Sequence, residues 1–135
     1  MQLADSDDIP EAQCWDLLRS VSIGRLALSI AALPTILPVQ YFVEGDELAI
    51  CLGHHTISER AVNDAIVAFS ADSILANTTG WSVQAMGTSR MAGSRHERSD
   101  CGQPSGGQIV RLQPAVVSGQ RVRLCPLAAS ALPPI

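Results

Sequence analysis

The chain contains no lysine, and all nine of its Lys/Arg positions are arginine. That absence excludes chemistries that need a lysine amine, among them a pyridoxal phosphate Schiff base and a phosphate-cradling P-loop. Aromatic residues are scarce at 4% and charged residues make up only 16%. No apolar run approaches the ~20 residues of a membrane-spanning helix. The longest, residues 30–39, is broken by Pro34, Thr35 and Pro38. With a net charge of −4 the chain lacks the basic excess that displaces counterions from nucleic acid. Its opening residues are acidic ahead of the first basic residue, Arg19, the reverse of an export signal. The expectation is a cytoplasmic protein with neither a membrane nor a nucleic-acid partner.

What is present is enough for one core. A chain of 135 residues that is 47% hydrophobic is long enough for a single domain and too apolar to stay unfolded. Residues 1–125 read as that domain, with an irregular, flexible insertion at 86–108 and a Pro/Ala-rich tail at 126–135. Four cysteines, Cys14, Cys51, Cys101 and Cys125, are widely and irregularly spaced and read as reduced, mostly structural thiols.

The order of elements follows from local signals. Asp8 and Glu11 form a capping-box pattern around Pro10. Cys14, Leu17, Leu18 and Val21 then make the stripe of an amphipathic helix ended by Gly24. Strands are expected at 25–32, 37–43 and 47–52, with Glu44-Gly45-Asp46 as a hairpin turn. A second capping pattern, Thr56 to Glu59, opens a short helix. Residues 65–71 and 81–87 read as strands, and 109–112 and 116–124 complete the sheet with a bend at Ser118-Gly119. Mostly local connections and two short helices indicate a mainly β fold, a small antiparallel barrel of about six to seven strands.

Several motifs resemble a known family when taken in order: Cys14-Trp15-x-Leu17-Leu18, Gly24-Arg25-Leu26-Ala27, Pro38-Val39-x-Tyr41, Val67-Ala68-Phe69 and Gly80-Trp81-Ser82-Val83. Ile109-Val110-Arg111-Leu112-x-Pro114 and Ser118-Gly119-x-Arg121 extend the likeness. Together they resemble the pyridoxamine 5'-phosphate oxidase-like flavin-binding split-barrel family, in its actinobacterial branch of flavin- and deazaflavin-dependent oxidoreductases. The resemblance implies a split barrel, a homodimer and two cofactor sites between subunits, for FMN or a deazaflavin coenzyme. It places the ring against Val39, Gln40 and Tyr41. The phosphate tail falls near Cys51, Leu52, His54, His55, Thr56 and Ile57, and the partner subunit presents the strand that begins at Trp81 and Ser82.

Against the family pattern, Cys51 and Leu52 stand where a basic residue and a hydroxyl are common, and Ile57 stands in place of the phosphate-binding lysine. Each lost charge-assisted contact is worth ~1.5–3 kcal/mol. Other readings of single residues are plainer. His54 and His55 with Cys51 lack the four ligands of a zinc site, so no metal is expected. Arg25, in an otherwise apolar strand, is either on a solvent-exposed face or reaches a carboxylate or a ligand phosphate, and a structural salt bridge is the favoured reading. Tyr41 either faces the flavin or fills the barrel. Arg90, Arg95 and Arg98 read as a solvated flexible face. No catalytic residue stands out. The expected function is a flavin- or deazaflavin-dependent oxidoreductase-like protein acting on a small molecule. The alternative is a non-catalytic split-barrel binding protein with a degenerate cofactor phosphate site.

Overall fold

The computed structural model describes residues 7–53, 57–76, 78–92 and 108–125. Their elements run β1 (Asp8–Ile9), α1 (Glu11–Ser20), β2 (Ile23–Ile30), β3 (Leu33–Glu44), β4 (Glu47–Cys51), α2 (Glu59–Val62), β5 (Ala65–Ile74), β6 (Thr79–Met91) and β7 (Ile109–Arg123). All pairings are antiparallel, in the order β1-β7-β4-β3-β2-β5-β6, and β6 pairs in turn with β7. That last ladder closes six strands into a barrel and removes their open edges. The mainly β split barrel with two helices is therefore the observed fold.

Period-two alternation fills the barrel. Leu26, Leu28, Tyr41, Leu48, Ile50, Phe69, Val83 and Leu112 point inward and are buried. The α1 stripe is as expected: Cys14 and Leu18 are fully buried, with Trp15, Leu17 and Val21 packed beside them. Its capping box does not form. Asp8 and Ile9 are drawn into β1, pairing with Gln120 and Gly119, and the helix starts after Pro10 with no side-chain cap. Nor does Gly24 end the helix, which stops at Ser20. Gly24 lies inside β2, where a Cβ would strike the Phe69 ring and come within 2.6 Å of the Ser70 carbonyl oxygen.

Strand limits differ from the local signals where tertiary pairing extends them. β3 begins at Leu33 and contains both Pro34 and Pro38. β4 pairs only with residues 40–44 of β3, so both prolines sit where β3 has the single neighbour β2, and a missing N–H is tolerated at such an edge. β6 continues through Met91, which takes residues 86–91 out of the expected irregular insertion. Residues 93–107 and the tail lie outside the described residues. β7 is one strand rather than two. Its irregularity falls where Met86 pairs with Val116 but Gly87 with Pro114, leaving Ala115 as the extra residue of a bulge. The bend expected at Ser118-Gly119 is thus displaced, and Gly119 instead gives room to the Cys14 sulfur.

The β2–β3 hairpin has a two-residue turn, since Ile30 pairs with Leu33. Ala31 and Ala32 both have positive φ, 50° and 66°, as a type I′ turn demands and as alanine resists. Replacing them with Asn-Gly is expected to stabilise the protein by about 1–2 kcal/mol. Urea denaturation checks this, and an unchanged midpoint would show that the turn carries no strain.

Candidate functional site

The middle of β3 and the end of β4 border a hollow. Gln40 pairs with both Ile23 of β2 and Cys51 of β4, so three strands bring one outward residue each to a single row. Beside this row lies a groove of about 410 Å³ lined by Ile23, Pro38, Val39, Gln40, Cys51, Leu52 and Gly53. That volume is in the range of small-molecule sites. Four residues expected at the site, Val39, Gln40, Cys51 and Leu52, meet here although 10 or more positions separate the two pairs along the chain. Among the described residues the lining holds no charged side chain. Its apolar walls and one exposed amide, that of Gln40, suit a flat aromatic ring such as isoalloxazine.

The remaining expected residues are placed elsewhere. Tyr41 points into the barrel, 4% exposed. Its hydroxyl donates to the Leu18 carbonyl oxygen at 2.6 Å, and its ring meets Phe69 edge-on with centroids 4.6 Å apart. Of the two readings left open by the sequence, filling the barrel is the one this geometry supports. Burial also pushes its hydroxyl pKa up to about 12. Ile57 is a buried member of the main core, its N–H donating to Gln108 Oε1 at 3.4 Å. Trp81 packs partly buried against the same core. Ser82 is outward on β6, in a separate small hollow with Gln84, Ser118, Gly119 and Gln120. His54, His55 and Thr56 lie outside the described residues.

Cysteine chemistry departs from the sequence reading at one point. Cys51 is disulfide-bonded, whereas Cys14 and Cys125 are free. A disulfide at Cys51 leaves no thiol there to act as a nucleophile. Cys14 is buried, its S–H facing the Ile9 carbonyl oxygen at 3.5 Å. Burial and, secondarily, Glu11 raise its pKa, which keeps the thiol protonated and inert.

Charged groups outside the groove are mostly paired. Arg90 belongs to β6 and makes a two-pronged contact with Glu47, at 3.1 and 3.2 Å, so it is not part of a solvated loop. Arg95 and Arg98 lie outside the described residues. Arg111 reaches Glu44 at 2.7 Å and Glu47 at 3.7 Å. Arg25 faces Asp72 at 3.9 Å with both side chains substantially exposed. The expected salt bridge exists, but as a loose surface pair. Among the described residues no three His, Cys, Asp or Glu side chains gather as a metal site. Nor, among them, is any helix long and apolar enough to cross a membrane.

Fold and groove together define a closed six-stranded split barrel with an apolar hollow on its outer wall. A family model for pyridoxamine 5'-phosphate oxidase matches residues 10–121, and the chain belongs to that family. The FAD binding protein from Mycobacterium smegmatis is 27% identical, with a TM-score of 0.66 over 86% of this chain and 97% of its own. A FAD-binding protein from Mesorhizobium loti has a TM-score of 0.68 at 16% identity, covering 87% of this chain and 96% of its own. The FAD and heme binding protein from Mycobacterium smegmatis has a TM-score of 0.65 at 18% identity, over 90% of this chain and 75% of its own. At these identities the last two likenesses establish the fold alone. Comparison with curated proteins gives no match.

The raised pKa of Tyr41 has a definite sign. The unfolded state loses this proton near pH 10 and the folded state only near 12, so folding stability falls as pH rises through that window. Tyr41→Phe is expected to remove this alkaline slope while costing about 1 kcal/mol at neutral pH for the lost hydrogen bond. Urea denaturation at pH 8 and pH 11 measures both.

Proposed function

We propose that the chain binds the ring of a flavin-type cofactor, FMN, FAD or a deazaflavin, in the groove of Val39, Gln40, Cys51 and Leu52, and acts as an oxidoreductase on a small molecule. The observation that carries this reading is the groove itself. It is an apolar hollow of about 410 Å³, in a chain whose 27% identical relative is a FAD binding protein. The cofactor supplies hydride chemistry when bound. The protein's part is to hold and orient the ring through apolar contact and the Gln40 amide, and to exclude water from one face of it.

A second reading is favoured by a specific observation: none of the described residues that line the groove is charged. A barrel that has kept the hollow but not the phosphate contacts would be a binding protein without redox catalysis. Titrating the purified protein with riboflavin, FMN, FAD and the deazaflavin coenzyme separates the two. Binding at micromolar concentration with reduction of the ring by a nicotinamide or chemical donor supports the oxidoreductase. Binding without turnover of any oxidant supports the second reading. If none of the four binds at millimolar concentration, the groove is not a cofactor site.

The homodimer is part of the same proposal. Ala27, Ala68, Met86 and Val116 form one outward row across β2, β5, β6 and β7, each paired with the next. Ile66, 76% exposed, and Ile36, 70% exposed, flank it. An exposed uncharged row of this kind is the surface a self-complementary two-fold contact buries. The groove lies alongside, within reach of a partner's β6. Sedimentation is expected to give a dimer at micromolar concentration and a folded monomer for Ala68→Arg. A wild-type monomer would remove the dimer and any site built between subunits.

A further inference from the structure

Beyond the ring-binding groove, the outer wall carries a second hollow that continues it. Val21, Ser22, Ile23, Arg25 and Asp72 line a depression of about 370 Å³, and Ile23 is shared with the groove. The two hollows adjoin at Ile23, and this two-part trough is apolar at the β3–β4 end and charged at the β2–β5 end. Pairing continues the trough's rows along the wall: Asp72 faces Ser82 and then Gln120, while Arg25 faces Ser70, which in turn faces Gln84 and then Ser118. In these rows, which also contain Cys51, Gln40, Ile23 and Pro38, the charged side chains are Arg25, Asp72 and, opposite Gln120 at the far end, Asp8, so Arg25 is the one cation among them.

We infer that Arg25 forms an anion-binding subsite of the trough, gripping a phosphate or carboxylate on a cofactor whose ring lies in the groove or on a substrate that lies against that ring. Three observations carry this. A guanidinium presents five donors in a fork suited to two oxygens. At 3.9 Å the contact with Asp72 is too long for a hydrogen bond, so those donors are not committed to it. Arg25 is also half exposed, which leaves it open to a ligand. An anion arriving from solvent competes with a single carboxylate that holds Arg25 only by charge. Asp72 is thus the carboxylate with which an entering anion competes. The position of the ring rests on the groove reading above, whereas anion binding at Arg25 is tested separately from it.

Arg25→Gln and Asp72→Asn provide the test, because they are expected to act in opposite directions. Both side chains are exposed enough that an ion pair between them contributes little to stability, and a circular dichroism melt confirms that each variant folds. Affinities are measured for FMN against riboflavin, which shares the ring without the phosphate, and for benzoate against benzamide. If the anion belongs to the cofactor, Arg25→Gln lowers the FMN affinity at least about tenfold and leaves riboflavin unchanged, while Asp72→Asn raises it. If it belongs to the substrate, both flavins bind the variants like wild type. Benzoate, and not benzamide, then loses at least about tenfold on the flavin-loaded Arg25→Gln protein, and gains on Asp72→Asn. Should riboflavin fail to bind any form, the groove reading fails, and calorimetry with benzoate and benzamide on the ligand-free protein decides the subsite. Anion affinities that do not depend on Arg25, or variants that shift both members of a pair alike, would overturn the inference.

Discussion

The β6–β7 ladder is the constraint on which the rest of the molecule depends. It runs from Thr79 opposite Arg123 to Met91 opposite Val110, and it joins the two ends of a sheet that would otherwise expose two long edges. Closure demands curvature, and the ladder supplies it with one bulged residue at Ala115, opposite the Met86-Gly87 step. Gly87 is required there, because a Cβ would come within 2.8 Å of the Ala115 nitrogen and the Pro114 Cα. Once the ring is closed, inward and outward positions are assigned on every strand together, since a one-residue slip would turn each strand inside out.

That assignment separates the core from the chemistry. Inward positions are consumed by packing: Tyr41, Phe69 and Leu18 interlock through a ring contact and a 2.6 Å hydrogen bond, and Ser89 satisfies the Val62 carbonyl oxygen at 2.7 Å. Outward positions are left to carry function, and they divide by charge. Near the β3–β4 turn, Glu44, Glu47, Arg90 and Arg111 neutralise one another. Along the trough Arg25 and Asp72 are the charged side chains among the described lining residues. The groove at its end therefore favours apolar contact over ionic contact, and an aromatic ring over an oxyanion.

β4 makes the groove floor unusually firm. Leu48 and Ile50 face the core, while Ala49 and Cys51 on the other face are also buried, in a small cluster with Ile109, Phe42 and Ala92. A strand covered on both faces reads as the unbroken apolar run that it is. The disulfide at Cys51 adds a covalent restraint where β4 meets the groove.

Much was legible from the sequence because the signals are local. The α1 stripe of Cys14 and Leu18, the Gly45 turn and the alternation in β5 each depend on neighbours within about four residues. The family motifs, though scattered, record the same alternation and so indicated the barrel. Val39, Gln40, Cys51 and Leu52 were placed at one site by that likeness, and the pairing of Gln40 with Cys51 brings them together. Other features belong to the tertiary structure alone. Asp8 has the right spacing for a helix cap, yet a strand more than a hundred residues away claims its backbone. Gly24 looks like a helix stop until Phe69 is seen beside it. Tyr41 and Ile57 have side chains equally suited to a groove or a core, and only the register of the closed barrel turned them inward. The meeting of Arg25 with Asp72 was decided in the same way. Each depends on which strands become neighbours, and that is settled by closure over long sequence separations rather than by any local pattern.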